Sequence, residues 1–166
     1  MIDYVMGFLF NTARTRVVLL RKTHGPACLV GKYVGPGGKV EPGETPKAAM
    51  CREFAEETSA EIHSWELFGA LNGNSDGRSF RVHLFRAFVD NPEDLVSTQT
   101  DERVLVCSVG MPLSCWQTNM FWMIPMALSM DKDRADFFEI NEFYEATTKV
   151  MPYIPKRDDQ STEGRV

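Results

Sequence analysis

In the stretch CREFAEETSA, residues 51–60, Glu53, Glu56 and Glu57 stand at spacings i, i+3 and i+4. On a helix these spacings put three carboxylates on one face, where each like-charge pair opposes helix formation by about 0.2–0.5 kcal/mol. Such a face is either a solvated surface or a platform for a cation. Hard oxygen ligands on one rigid face suit Mg²⁺, which keeps several of its waters and bridges protein carboxylates to substrate phosphates. The loop ahead of the stretch carries Gly35, Gly37 and Gly38, and glycines let backbone groups approach a phosphate closely.

The offsets continue upstream. Gly38 is followed by five residues and Glu44, then by seven residues and Arg52-Glu53, then by Phe54, Ala55 and Glu56-Glu57. Five charged positions at fixed offsets behind a double glycine are far more specific than a lone glycine motif. Over residues 38–60 the chain resembles the Nudix hydrolase signature, G-x5-E-x7-R-E-U-x-E-E-x-G-U with U aliphatic. All charged positions agree, while Phe54, Ser59 and Ala60 depart from it. The resemblance implies an α+β Nudix fold, with a mixed β-sheet sandwiched between helices, that hydrolyses nucleoside diphosphates linked to a further moiety. It implies Mg²⁺ as cofactor, with Mn²⁺ able to substitute. Glu53, Glu56 and Glu57 become metal ligands, with the Gly37 carbonyl completing the site. Arg52 orients a glutamate through an ion pair, with Glu44 nearby, and Lys39 lies near the phosphates. The expected reaction is attack of an activated water on a phosphoanhydride phosphorus. Either Glu53 or a carboxylate outside the motif could be the general base. Glu102, in TDERVLV, is one candidate, because related members carry an acidic pair before a strand at a similar distance; otherwise Asp101 and Glu102 simply end a loop.

Substrate choice rests on residues outside the motif. GKYVGPGGKVEPGET, SCWQTNMFWMIP and ADFFEI look like the MutT-type branch, which cleans oxidised purine nucleoside triphosphates such as 8-oxo-dGTP. In the vertebrate member of that branch a tryptophan followed by two aspartates contacts the base; here Trp116 is followed by Thr118 and Asn119, with Trp122 beyond. Asn119 can pair with a purine edge as donor and acceptor, and Trp116 either stacks on the base or packs in the core. Phe121 and Met123 read as core, and Val34 stands where that vertebrate member has an Asn that contacts the base. NSDGRSF, residues 74–80, lacks the proline or tyrosine common in members that take ADP-ribose or dinucleoside polyphosphates, so a nucleoside triphosphate is favoured. The alternatives are another nucleoside diphosphate-linked substrate and a catalytically weak nucleotide-binding regulator.

The elements that must position these groups follow from periodicity. A helix is expected from Pro46 to Thr58, with Thr45 as N-cap, Pro46 in the first turn, and Ala48, Cys51, Ala55 and Thr58 packing opposite the glutamates. Ser59 replaces the glycine that would adopt a left-handed cap, so the helix is expected either to run past Thr58 or to end without that cap. YVMGFLF and TRVVLLRK read as a hairpin joined by NTAR. SWELFGAL and SFRVHLFRAFV read as a second, turning at Asp76-Gly77 within NGNSDGR. RVLVCSV and ADFFEI read as further strands, and a second helix is expected near Asn119–Met130, where Pro125 either kinks it or delays its start.

Composition bounds the rest. At 166 residues with 43% apolar and 25% charged residues, the chain suits one domain, expected over residues 1–155 with a disordered tail at 156–166. The net charge of −5 argues against a nucleic acid polymer or an anionic membrane as partner. A small-molecule nucleotide is the expected partner, and the chain is expected to act as a monomer or homodimer. MIDYVMGFLF lacks a signal-peptide pattern, which points to the cytoplasm. Cys28, Cys51, Cys107 and Cys115 form no zinc spacing. No EF-hand loop accompanies the acidic helix, which weighs against a structural Ca²⁺ site.

Overall fold

Along the first strand, β1 (Ile2–Asn11), Val5 and Leu9 pack in one apolar cluster and Phe8 and Phe10 in another, and all four are buried. Successive side chains of a strand point to opposite faces, so β1 must be covered on both. The computed structural model describes residues 1–24, 27, 29–75, 77–97, 103–110, 119–129 and 137–143. Its strands are β1, β2 (Arg16–Arg21), β3 (Tyr33–Val34), β4 (Glu66–Ser75), β5 (Arg78–Val89), β6 (Arg103–Ser108) and β7 (Phe138–Phe143). They form one mixed sheet in the order β3-β2-β1-β5-β4-β7, with β6 paired along β2. β1 runs parallel to β5, and β4 to β7; the other pairs are antiparallel. Helix α1 (Pro46–Thr58) lays Ala49, Met50 and Phe54 on Val5, Leu9, Val18 and Phe85. On the other face, helix α2 (Met120–Ser129) lays Met120, Met123, Ile124 and Ala127 on Phe8, Phe10, Val17 and Leu84. This is the expected α+β architecture, a mixed sheet between helices. Among the described residues, no helix is long and apolar enough to cross a membrane.

α1 begins where expected: Thr45 is extended and its hydroxyl accepts from the Ala48 N–H at 3.2 Å, with Pro46 in the first turn. Two expectations about this helix are corrected. Its packed face is Ala49, Met50, Phe54 and Thr58, with Ala48 exposed and Ala55 half-buried. The helix is rotated toward its glutamate edge, because Glu57 itself turns inward to Lys22, just past β2, and to the Gly37 N–H of the glycine loop. Its end is also different: Ser59 adopts the left-handed cap (φ 61°, ψ 7°), donating its N–H to the Ala55 carbonyl at 2.8 Å. A left-handed non-glycine costs about 1–2 kcal/mol. Three bonds offset that cost locally. Buried Thr58 donates its hydroxyl to the Phe54 carbonyl and accepts from the Ala60 N–H, and its carbonyl accepts from the Ser97 N–H.

Elsewhere β4 runs through the expected turn residues to Ser75, because the Asn72 amide donates to Asn141 of β7 and the Phe80 ring lies over Gly73. Gly77 has φ 74°, as the turn requires. α2 starts ahead of Pro125, which lies within it, and Phe121 is 50% exposed where a core position was expected. The expected tail at 156–166 lies outside the described residues.

The seating of α1 depends on Gly7. A Cβ there would stand 2.7 Å from Met50 Cε and 2.9 Å from Trp65 Cζ3. Gly7→Ala is expected to lift α1 from β1 and to lower stability by about 1–3 kcal/mol, as overpacking does. Urea unfolding at neutral pH checks this; an unchanged midpoint would show that Met50 yields without cost.

Candidate active site

The glycine-rich loop is fastened to the first half of β1, where β2 does not reach. The Gly7 N–H donates to the Pro36 carbonyl and the Val5 N–H to the Gly38 carbonyl, each at 2.8 Å, and the Val40 N–H donates to the Asp3 carbonyl at 3.0 Å. The backbone at Gly37 lies so close to the Val5 carbonyl that a Cβ would collide with it, and a Cβ on Gly38 would collide with the Glu53 carboxylate. Only glycines let the acidic helix and the loop meet.

Glu57 sits at that meeting. The Gly37 N–H donates to its Oε2 at 2.8 Å and Lys22 Nζ to its Oε1 at 3.1 Å, with side-chain exposures of 12% for Glu57 and 20% for Lys22. Arg52 gathers the other acids. It grips Glu44 with two bonds, at 3.1 and 2.9 Å, and donates to Glu53 Oε1 at 2.8 Å, to Glu56 Oε2 at 3.3 Å and to the Lys39 carbonyl at 3.1 Å. The hydrogen bond from Arg52 holds the Glu44 carboxyl below its ordinary value. Glu44 and Glu53 in turn push the Arg52 guanidinium further above its own. The repulsion implied by the spacing is thus relieved in part by the protein's own cations. Four carboxylates (Glu44, Glu53, Glu56, Glu57) meet two cations (Arg52, Lys22), leaving two negative charges in this set.

That remainder fits a divalent ion, and the donor atoms are the hard oxygens Mg²⁺ prefers. Glu56, however, is 60% exposed. Among the described residues, no three acidic, histidine or cysteine side chains converge closely enough to hold a metal as they stand.

On the α2 side of the sheet lies an apolar pocket walled by Met6, Val34, Leu71, Phe80, Met120 and Met123, with Asn119 as its polar lining residue. Val34 leads directly into Gly35, whose backbone lies against Met6 and the Gly7 carbonyl. The chain therefore passes from the pocket wall to the Glu57 contact between Val34 and Gly37.

The predicted residues fall into three groups. Arg52, Glu53, Glu56, Glu57 and Gly37 are brought together, with Gly37 engaging Glu57 through its N–H; Lys39 is exposed beside them and lends its carbonyl to Arg52. Asn119 stands across the sheet, where its carbonyl accepts from the Trp122 and Met123 N–H groups as α2 starts. Glu102 and Trp116 lie outside the described residues. Trp122 packs edge-on against Phe138 at 6.2 Å. Lys22 was not foreseen. Parity could have found it, since Val18, Leu20 and Lys22 share the side of β2 that faces α1.

The family model of the NUDIX domain matches residues 2–126. Over 73 residues the chain is 41% identical to a putative 8-oxo-dGTP diphosphatase 2 of Mycobacterium tuberculosis, covering 40% of this chain and 52% of that protein. It thus spans about half the length of the curated relatives it matches. Among solved structures, the MutT protein of Bacillus halodurans superposes with a TM-score of 0.63 at 18% identity, covering 88% of this chain and 92% of that one. The NUDIX domain of Shewanella oneidensis NrtR, solved with ADP ribose, superposes with a TM-score of 0.62 at 18% identity, covering 77% and 86%. At these identities the structural likeness is one of fold.

Proposed function

The chain belongs to the Nudix family, and from that premise we propose that it is a Mg²⁺-dependent hydrolase of a purine nucleoside triphosphate, releasing nucleoside monophosphate and pyrophosphate. The observation that carries this reading is the continuity of pocket and acidic helix: Val34 walls an apolar slot, and Gly37, three residues on, binds Glu57. A base in the slot would leave its triphosphate crossing the glycine loop toward the carboxylates. The name of the M. tuberculosis relative supports an oxidised purine nucleotide such as 8-oxo-dGTP as the substrate.

In this reading Glu53, Glu56 and Glu57, with the Gly37 carbonyl, hold the metal, and Mn²⁺ serves in place of Mg²⁺. When bound, the ion supplies charge neutralisation on the phosphates and an acidified water. Lys22 and the Gly37 N–H fix the Glu57 carboxylate. Arg52 holds Oε1 of Glu53, which leaves Oε2 either to ligate the metal or to take the proton of the attacking water; in the first case Glu102 is the candidate for the proton. Lys39, exposed beside the loop, meets the phosphate chain. Asn119 offers a donor and an acceptor to the base edge, and Trp116 a stacking face.

A nucleotide panel tests this. With Mg²⁺, purine nucleoside triphosphates, 8-oxo-dGTP among them, are expected to yield pyrophosphate at least about tenfold faster, by kcat/KM, than ADP-ribose or dinucleoside tetraphosphate is cleaved. Preference for either of the latter would overturn the substrate, and no product from any would overturn the activity.

A further inference from the structure

α2 follows directly on Asn119 and brings Met120 and Met123 to the pocket; its buried side chains seat it on the sheet, but its own backbone does little to hold its last turn. It has ten residues with Pro125 inside. So short a helix is marginal alone, and a proline removes one rung of its hydrogen-bond ladder. Its last turn is gripped from outside. Arg86, on the α2 side of β5 and only 4% exposed, donates Nη1 to the Ala127 carbonyl at 2.6 Å and Nε to Glu66 at 3.3 Å. Arg14, in the β1–β2 turn, donates to the Leu128 carbonyl at 3.2 Å. Ser129 Oγ donates to the Met126 carbonyl at 3.1 Å. Three consecutive carbonyls at the helix end are thus taken by side chains. Both guanidiniums stack on one ring, Phe88, at 5.3 Å from Arg14 and 5.7 Å from Arg86. Cations at a helix C-terminus also complement its dipole.

We propose that Arg86, seconded by Arg14, is a positioning residue for the substrate pocket. By holding the last turn of α2 it sets how far Asn119, Met120 and Met123 stand from Met6, Leu71 and Phe80, and so sets affinity for the base. The glutamates lie with α1 on the opposite face of the sheet, so the clamp acts on binding and leaves the chemical step alone. The proposal rests on the reading of this pocket as the base site.

Its test uses the full chain with Mg²⁺ and two substrates, the preferred nucleoside triphosphate and ribose 5-triphosphate, which has no base to enter the pocket. Arg86→Met is expected to raise KM for the nucleotide about tenfold with kcat within about twofold, and to leave ribose 5-triphosphate kinetics unchanged. Arg86→Lys is expected to recover most of the loss, and Arg14→Met to shift KM in the same direction by about threefold. Hydrogen exchange along α2 is expected to quicken in both methionine variants. Equal losses on both substrates would mark Arg86 as merely structural and overturn the proposal, as would unchanged nucleotide KM. If Arg86→Met does not fold, Arg14→Met decides the matter by the same readouts. Should the wild-type chain turn over neither substrate, the functional reading fails by itself. Calorimetric binding of the nucleotide and α2 exchange still decide the clamp: no change in either variant overturns it.

Discussion

Glu57→Gln is expected to lower the rate of pyrophosphate release by about 10²–10³-fold, the scale on which removal of one electrostatic contact to the transition state is felt. The substitution is nearly isosteric. A glutamine oxygen still accepts from the Gly37 N–H, so the loop keeps its place. What is lost is the full negative charge, together with the acceptor facing Lys22 Nζ. Both partners of that ion pair are mostly buried, so stability is expected to fall by about 1–3 kcal/mol while the fold persists. Initial rates across a Mg²⁺ titration, with thermal melts of the same samples, check both parts. Full activity in a folded Glu57→Gln protein would sink the proposed role.

Arg52→Met is the second large effect, expected to reduce turnover by about 10²-fold. Among the described residues, Arg52 ties Glu44, Glu53 and Glu56 together; without it Glu53 and Glu56 repel each other and Glu53 loses the bond that orients its carboxylate. The pair is partly solvated, so the stability cost is modest, about 1–2 kcal/mol. The cost has a pH signature. Glu44 titrates below its ordinary value of 4.5 because Arg52 hydrogen-bonds it. A carboxyl whose folded pKa is depressed contributes stability that is present above the unfolded value and is lost as pH falls through the folded one. The stability gap between wild type and Arg52→Met should therefore be full at pH 7 and shrink on acidification below 4.5. Urea unfolding at neutral and acid pH measures it; a gap independent of pH would show that Glu44 does not carry the effect.

The legible parts of this protein were local ones. The start of α1 at Thr45-Pro46 could be read directly, since an N-cap and a first-turn proline act within three residues. The Arg52–Glu44 partnership, implied by family resemblance, is present as two hydrogen bonds. The misreadings came where a distant contact overrode a local preference. Ser59 takes a left-handed cap that serine disfavours, and the neighbouring Thr58 carbonyl is bonded by Ser97 from another segment. The packed face of α1 turned because Glu57 is drawn inward. Phe121, apolar beside Met120 and Trp122, is half-exposed because the sheet below α2 takes Met120, Met123, Ile124 and Ala127 instead.

The sequence by itself determined which chemical groups gather: five charged side chains and two glycines at spacings that a loop and one helix convert into a single acidic face. Those relations hold within about twenty residues, and helical geometry fixes them wherever the helix is placed. Only the tertiary structure decided what each acid meets. Lys22 reaches Glu57 from 35 positions away, the loop is laid along β1 by backbone bonds, and the pocket is walled by strands and a helix that come together only in the folded sheet. Sheet register and the packing of its two faces set such contacts, and no spacing in the chain encodes them directly.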